Sequence, residues 1–290
     1  MGFDAPSEYR GATALNPMAS ASFVGLARAD GVSPANRGLN YGDGLFETMR
    51  VHRGTLPLWP RHLARLREGA QRLGIAVPDP AFIEARIAEM SDGVDAGVLK
   101  LLLTRGDGGR GYAPPVDAPP AWMLALHPLP PASATGLRLH ACETRLAIQP
   151  ALAGLKHCNR LEQVLARAEV ERAGCDEGLM LDSEGRAVSA TSANLLAYRD
   201  GRWLTPPVTR CGVAGVLRGW LLAQGLAEEA ELAPDALESV EALALCNAVR
   251  GILPVSLLGA RHWSAHPALT DLQARLAMAH PMFSNSPVRA

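Results

Sequence analysis

Residues 154–163 constrain this chain more than any other stretch, because they join two local patterns around one chemically distinctive side chain. They read Gly-Leu-Lys-His-Cys-Asn-Arg-Leu-Glu-Gln. The residues before them lack helical periodicity, whereas apolar residues after them recur at helical spacing until Gly174. We predict a loop followed by a helix, with Asn159 as its N-cap and Glu162 as the capping-box partner. Lys156 then lies just ahead of the helix, where a loop can present it into a cleft.

Lysine is scarce in this chain, which makes Lys156 a candidate for chemistry. Of the 28 Lys and Arg residues, only Lys100 and Lys156 are lysines. An ammonium can lose its proton and attack a carbonyl, whereas a guanidinium stays protonated. Lys100 falls in an apolar strand pattern and is interpreted as an outward-facing polar residue. A solvated surface charge is the alternative for Lys156, but scarcity and position favour a Schiff-base lysine.

The pattern Gly-Leu-Lys-His-x-Asn-Arg-Leu-Glu-Gln resembles the cofactor-lysine motif of the aminodeoxychorismate lyases. These belong to the fold-type IV pyridoxal-phosphate enzymes, together with branched-chain and D-amino-acid aminotransferases. The aminotransferases share the lysine but not the residues that follow it. The resemblance extends from about residue 23 to the last predicted helix. It implies a mixed α/β and α+β fold of two domains, with pyridoxal 5'-phosphate at the domain interface and Lys156 as its covalent anchor.

Composition bounds the class of protein. The chain has 290 residues, 48% of them hydrophobic and 20% charged, with a net charge of −1. This is typical of a globular protein of two domains and argues against a nucleic-acid partner, which a broad basic face would attract. The five cysteines are scattered without a Cys-x-x-Cys pair, which favours reduced thiols in the cytoplasm and no metal site. No apolar run suggests a membrane span, and the resemblance implies a homodimer.

Proline and glycine divide the chain into expected units. We predict a loose leader at 1–20, a small N-terminal α/β domain at 21–126, a Pro-rich linker at 127–136 and a larger cofactor-binding domain at 137–290. Residues 36–43 are interpreted as a polar loop. Helices are predicted at 60–73, 80–90, 160–173, 215–224 and 267–278. Strands are predicted at 23–26, 45–52, 98–104, 121–126, 137–141, 178–181, 194–198, 243–247 and 252–258.

A phosphate group needs an anion cradle, and the resemblance implies three segments for it. Arg65 lies in His-Leu-Ala-Arg-Leu, which matches the family's phosphate-gripping arginine, and its fork suits phosphate oxygens. The second segment opens a helix, whose free N–H groups and dipole favour anions. The third is Cys-Asn-Ala. The residues carried over from these two segments are Gly215, Val216, Leu217 and Asn247.

The stretch 104–112, Thr-Arg-Gly-Asp-Gly-Gly-Arg-Gly-Tyr, contains a Gly-x-Gly-x-x-Gly after a strand. A dinucleotide site would need a helix next, but Ala-Pro-Pro follows. The run resembles a lyase signature, which implies that Arg105 and Arg110 bind the substrate's two carboxylates. Tyr41 and Phe46 match a loop-to-strand segment that lines the family's cleft, although core packing explains them equally well.

One position departs from the family. A glutamate stands beside the pyridine nitrogen in the family, and the matching residue here is Ser189. A serine can hydrogen-bond that nitrogen but cannot hold it protonated as a carboxylate would. Glu184 is close in sequence, but its turn is expected to point it to solvent.

The resemblance implies a lyase that converts 4-amino-4-deoxychorismate into 4-aminobenzoate and pyruvate, a step of folate synthesis, with Lys156 as general base. Two alternatives remain. One is a D-amino-acid or branched-chain aminotransferase of the same fold, and the other is a non-catalytic binding protein on it, since fold alone does not decide function.

Overall fold

The computed structural model describes residues 17–131 and 136–284. Most of the expected leader and residues 132–135 of the expected linker therefore lie outside the described residues. The first strand begins at Ala19, so the last two residues of the expected leader belong to the sheet. Among the described residues, no helix is both long and apolar enough to cross a membrane.

The N-terminal half is built on a five-stranded antiparallel sheet in the order β2-β1-β5-β4-β3. Its strands are β1 (Ala19–Val24), β2 (Ala27–Ala29), β3 (Gly44–His52), β4 (Ala96–Thr104) and β5 (Ala121–His127). Its helices are α1 (Arg37–Tyr41), α2 (Trp59–Leu73) and α3 (Pro80–Ser91). Alternate residues of β3 are buried, which is the pattern of a strand with one face on a core. That core includes Met49 of β3, Leu66 of α2 and Ile83 of α3.

The C-terminal half is a nine-stranded mixed sheet. Its strands are β6 (Leu137–Ala141), β7 (Glu177–Leu181), β8 (Ala187–Ala190), β9 (Asn194–Arg199), β10 (Arg202–Thr205), β11 (Glu228–Glu229), β12 (Ala242–Asn247), β13 (Gly251–Leu258) and β14 (Arg261–His262). Its helices are α4 (Leu161–Arg172), α5 (Val216–Ala223) and α6 (Pro267–Ala279). The mixed α/β and α+β prediction is confirmed. We propose that the domain boundary lies within 127–136, since the first sheet ends with β5 at His127 and the second begins with β6 at Leu137.

The larger sheet closes on itself, and the closure places functional candidates together. Strand β8 pairs with β7 and also with β9, through Ser189 and Asn194. All four residues of β8 are buried, so the strand lacks the alternation of a half-exposed strand and was not predicted.

Two local predictions were wrong. Residues 36–43 are not all loop, because the Asn36 side chain accepts hydrogen bonds from the first N–H groups of α1 and caps that short helix. Asn159 does not cap α4, which follows Arg160 without a side-chain cap. The Asn159 side chain instead donates to the Gly42 carbonyl at 3.2 Å. Gly42 has φ +66°, and a Cβ there would lie 2.4 Å from the Asn159 oxygen, so this contact needs a glycine.

Candidate active site

The loop that carries Lys156 is hydrogen-bonded to both halves of the molecule. The Phe46 N–H at the start of β3 donates to the Lys156 carbonyl at 2.9 Å. The Gly154 N–H donates to the Gly212 carbonyl, ahead of α5, at 3.0 Å. The lysine backbone is therefore fixed between the N-terminal sheet and the segment that leads into α5.

Two arginines hold the same loop through its carbonyl groups. The Arg160 guanidinium donates to the carbonyls of His157 at 2.8 Å and Leu155 at 2.9 Å. Arg72, on α2, donates to the Ala153 carbonyl at 2.9 Å. A guanidinium has five N–H groups in a rigid fork, so it can bind several carbonyls of an irregular loop at once. The Arg that follows the lysine in the motif thus has a structural reason to be there.

Lys156 opens into a cavity of about 640 Å³ between the two halves. Several predicted residues line it: Phe46, Arg65, Lys156, Ser189, Gly215, Val216 and Asn247. The cationic lining residues are Arg65, Lys156, Arg160, Arg167 and Arg250. Among the described residues that line the cavity, none is Asp or Glu. The charged groups on the cavity wall are therefore cations, and they suit a ligand with negative charge. Two of them, Arg65 and Arg167, also pair with carboxylates outside the lining, those of Glu47 and Glu171.

The Lys156 amine has the electrostatics of a nucleophile. It lies 4.2 Å from the centroid of the Phe46 ring. Its side chain is partly exposed to the cavity, yet burial, followed by the positive charge of Arg65, lowers its pKa to about 7. About half of the amine is then neutral at pH 7, whereas an ordinary lysine with pKa near 10.4 is almost wholly protonated.

Lys100 is closer to this site than the sequence suggested. It is exposed on β4, as expected for an outward-facing residue. Its ammonium nevertheless lies 5.3 Å from the Phe46 ring centroid, so both lysines of the chain contact the same ring. Lys100 also contributes to the lowered pKa of Lys156.

Arg65 and the start of α5 form one end of the cavity. Arg65 donates to the Ala214 carbonyl at 2.9 Å, which ties α2 to the residue before the α5 N-cap, Gly215. Gly215 gives the helix no side-chain cap, so the first N–H groups of α5 keep no partner from that source. A Cβ on Gly215 would lie 1.9 Å from the Asn194 oxygen, so only glycine fits there. Leu217 faces the core behind this end and is fully buried.

Ser189 and Asn247 lie on neighbouring parts of the cavity wall. Ser189 is buried on β8, where the strand pairs with Asn194. The Asn247 carboxamide oxygen accepts hydrogen bonds from the N–H groups of Val249 at 3.0 Å and Arg250 at 2.8 Å, which shapes the turn after β12. Glu184 is 54% exposed and pairs with Arg186 and Arg210, as its turn predicted.

The glycine-rich loop does not reach the cavity. Arg105 donates to the carboxylate of Asp43 and to the carbonyls of Leu73 and Gly74 at the end of α2. Four of its five N–H groups are used in this way, which gives the expected role in substrate binding no support from its surroundings. Arg110 is exposed.

Tyr41 also lies in this region, where its hydroxyl accepts the Gly111 N–H at 3.3 Å and its ring packs against Tyr112. Like Arg105 and Arg110, it is not among the described residues that line the cavity.

Several residues at the site were missed. His62 and Arg160 were part of quoted motifs but received no role, although both line the cavity. Arg250 and Asn194 line it as well, one just after β12 and the other at the start of β9. The pair Asn194-Leu195 served to locate Ser189 but Asn194 received no role, and Arg250 carries no distinctive spacing in the sequence. Only the closure of the larger sheet and the turn after β12 bring them to Lys156.

The sequence model described as "Amino-transferase class IV" matches residues 44–258, which include every element that forms the cavity. The chain belongs to the aminotransferase class IV family. Its likeness to an aminodeoxychorismate lyase of Vibrio harveyi is 34% identity over 242 residues, covering 78% of this chain and 86% of that protein.

Among solved structures, the 4-amino-4-deoxychorismate lyase of Pseudomonas aeruginosa superposes with a TM-score of 0.83 at 44% identity, covering 89% of this chain and 99% of that one. A PLP-bound hypothetical aminotransferase of Mycobacterium tuberculosis superposes with a TM-score of 0.77 at 18% identity, covering 89% of this chain and 98% of that one. The latter shows the shared fold. The fold-type IV prediction is thereby confirmed, and the class IV family is one of enzymes.

Proposed function

We propose that this class IV protein is a pyridoxal-phosphate lyase that converts 4-amino-4-deoxychorismate into 4-aminobenzoate and pyruvate. The observation that carries the proposal is the cavity itself. The cavity is lined by four arginines and by Lys156, whose pKa is lowered to about 7, and no Asp or Glu is among its described lining residues. The 34% and 44% identities to two lyases support the same reaction.

The residues present fit pyridoxal phosphate. Its phosphate suits Arg65 together with the uncapped start of α5 at Gly215 and Val216. Its aldehyde suits the amine of Lys156, which is partly unprotonated at neutral pH because its pKa is lowered to about 7. Ser189 is a hydroxyl partner for the ring nitrogen. When bound, the cofactor supplies an electron-withdrawing ring.

The chemical work of the chain falls to Lys156. Lys156 would hold the cofactor through its amine. When that amine is free, it accepts the proton from the substrate ring carbon that bears nitrogen. The same group delivers a proton to the methylene carbon of the enolpyruvyl group as that group leaves as pyruvate. A pKa near 7 suits both transfers, because the amine is readily protonated and deprotonated at neutral pH.

The cavity arginines match the charge of the proposed substrate, which carries two carboxylates. Arg160 is partly buried, and burial lowers its pKa to about 10, so it stays protonated at neutral pH. Arg167 and Arg250 also line the cavity. Arg160 and Arg250 are better placed to bind carboxylates than Arg105, whose N–H groups are used by Asp43 and by the end of α2. Arg167 already pairs with the carboxylate of Glu171.

A direct assay tests the proposal. The enzyme loaded with pyridoxal phosphate is mixed with 4-amino-4-deoxychorismate, and 4-aminobenzoate is followed by fluorescence while pyruvate is followed with lactate dehydrogenase. We expect the two products in equal amounts. A parallel reaction supplies D-alanine or a branched-chain amino acid with a keto-acid acceptor. Amino transfer in that reaction without 4-aminobenzoate in the first would establish the aminotransferase alternative.

The exposed surface next to the cavity supports a homodimer. Leu161, Val164 and Leu165 on α4 are 76%, 60% and 59% exposed, and Val164 also lines the cavity. Three large apolar side chains on one helix turn are a surface that a second protein copy can cover. Light scattering measures the mass of the protein in solution and so distinguishes a homodimer from a monomer. The five free cysteines support a cytoplasmic location.

A further inference from the structure

Three side chains at the cavity wall form a hydrogen-bonded cluster of Glu47 on β3 with His62 and Arg65 on α2. His62 Nδ1 lies 2.6 Å from the carboxylate of Glu47, and Arg65 approaches both carboxylate oxygens, with Nε at 2.9 Å. The side chains of Glu47 and His62 are each 1% exposed, so water does not compete for these bonds. Arg65 and His62 line the cavity and Glu47 does not, so the carboxylate supports two lining groups from behind.

The cluster fixes the protonation of His62. A carboxylate only accepts hydrogen bonds, so His62 Nδ1 carries the hydrogen and donates. Burial lowers the pKa of His62, and the hydrogen bond to Glu47 offsets only part of this, so the ring is neutral and its Nε2 is an acceptor. Within the described chain, Nε2 is buried without a hydrogen-bond partner. Such atoms are rare unless something else pairs with them, and this one belongs to a residue of the cavity wall.

The cluster also fixes the orientation of Arg65. Of its five N–H groups, two donate to Glu47 and one to the Ala214 carbonyl. Two N–H groups remain, one on each terminal nitrogen, for a molecule in the cavity. Since Ala214 precedes the N-cap of α5, the guanidinium plane is set relative to the helix start that faces the same ligand.

The protonation of the Lys156 amine depends on the Glu47 carboxylate. The charged groups that act on Lys156 are Arg65 on α2, Glu47 on β3, Arg160 in its own loop and Lys100 on β4. Glu47 is the one anion among them and raises the pKa of Lys156, whereas the three cations lower it. Burial alone would raise the pKa of Glu47, but the charge of Arg65 and the hydrogen bonds from His62 and Arg65 outweigh it and lower the pKa to about 2. Glu47 is therefore an anion at every working pH.

We propose that Glu47 and His62 are positioning residues for the cofactor end of the cavity. Glu47 holds the Arg65 guanidinium in one orientation and shields Lys156 from its charge. His62 keeps Glu47 in place and leaves Nε2 open to the bound molecule. This inference rests on the proposal that the cavity holds pyridoxal phosphate, and it does not depend on the lyase reaction.

The test uses the full chain without cofactor and two measurements other than turnover. One is the pH dependence of Lys156 modification by an amine reagent, read by peptide mass spectrometry with Lys100 as the internal reference. The other is the Kd for pyridoxal phosphate. In the parent protein, the pH dependence of Lys156 modification is expected to have its midpoint at about pH 7. Glu47→Gln removes the anion, so the midpoint falls by about one pH unit and the Kd rises about tenfold or more.

Matched variants separate charge from shape. Glu47→Asp keeps the charge, so its midpoint stays closer to the parent than that of Glu47→Gln, although its shorter side chain weakens cofactor binding. Asp182→Asn is the control, because Asp182 is also a buried carboxylate paired with an arginine, Arg186, and it does not line the cavity. It should lower the Tm and leave both measurements unchanged.

If Glu47→Gln does not fold, Arg65→Gln probes the same charge balance, and the midpoint of Lys156 should then rise. The inference is overturned if neither variant moves the midpoint, or if a folded Glu47→Gln binds the cofactor as the parent does. Since no aminodeoxychorismate is used, a failed lyase assay leaves these outcomes standing.

Discussion

The wall around Lys156 and the glycine-rich loop at 105–112 both contain arginines that a family motif points to, yet the two regions use them differently. Around the cavity, Arg65 keeps two N–H groups for a ligand, and no carboxylate is among the described lining residues. In the other region, Asp43 accepts hydrogen bonds from both Arg37 and Arg105. Carbonyl groups take further N–H groups of these arginines. Each region pairs an arginine with a carboxylate, but Arg65 keeps two N–H groups that face the cavity, whereas four of the five N–H groups of Arg105 are used within the fold.

A family motif therefore predicts where a segment lies in the fold more reliably than it predicts the function of each residue in that segment. Burial would raise the pKa of Asp43, but its hydrogen bonds from Arg105 and Arg37 lower it, so it stays an anion that holds two segments together. The loop at 105–112 is thus fastened to α1 by Arg37 and to the end of α2 by Arg105, which the family resemblance had assigned to the substrate.

Replacing Lys156 should have the largest effect. Lys156→Arg keeps a positive charge near Phe46 but cannot lose its proton to act as nucleophile or base. We expect an intact fold and a loss of 4-aminobenzoate formation of at least about a thousandfold. The matched control is Lys100→Arg, which changes the other lysine beside the same ring. If Lys100→Arg abolishes turnover and Lys156→Arg does not, the assignment of the two lysines is reversed.

Arg65 should matter next, through cofactor binding. Arg65→Gln removes charge-assisted hydrogen bonds to phosphate, each worth about 1.5–3 kcal/mol, so the Kd for pyridoxal phosphate should rise about tenfold to a hundredfold. Arg67→Gln on the exposed face of the same helix is the control and should bind normally. Equilibrium titration of the apoprotein measures both. Equal affinity in the two variants would remove Arg65 from the cofactor site.

Arg105→Ala should affect stability rather than binding. It breaks the contacts to Asp43 and to the last carbonyls of α2, and unpaired polar groups cost about 1–3 kcal/mol each. We expect the Tm to fall by several degrees while the Kd for the cofactor and the KM for the substrate stay close to the parent values. A raised KM with an unchanged Tm would restore Arg105 to substrate binding and contradict the contrast between the two regions.

Ser189→Glu places a carboxylate in a cavity whose described lining has none, and its effect on the lyase reaction should be the smallest. Amino transfer needs a strongly electron-withdrawing pyridine ring, which a carboxylate at its nitrogen would promote. The lyase reaction depends less on it, because the substrate ring becomes aromatic as pyruvate leaves. We expect alanine to yield pyruvate stoichiometrically with enzyme in the variant, while 4-aminobenzoate formation changes less. If both activities move together, Ser189 does not separate the two reactions.

Much of this fold was readable from the sequence because local signals and tertiary structure agree. The amphipathic pattern and closing Gly74 predicted α2, and Asp79 with Pro80 predicted the start of α3. The prediction that Asn159 caps α4 was wrong, because its side chain forms a hydrogen bond with the distant Gly42 carbonyl instead. The motif around Lys156 led to the cavity, since its spacing is specific. The cluster of Glu47 with His62 was missed, because helix and strand packing brings together residues that no motif joins.

The most direct test asks which amine carries the cofactor. The enzyme loaded with pyridoxal phosphate is treated with borohydride, which fixes the cofactor to its lysine, and the digested protein is mapped by mass spectrometry. We expect a pyridoxyl adduct on Lys156, none on Lys100, and loss of the adduct in Lys156→Arg. An adduct on Lys100, or no adduct in an enzyme that still forms 4-aminobenzoate, would contradict this expectation.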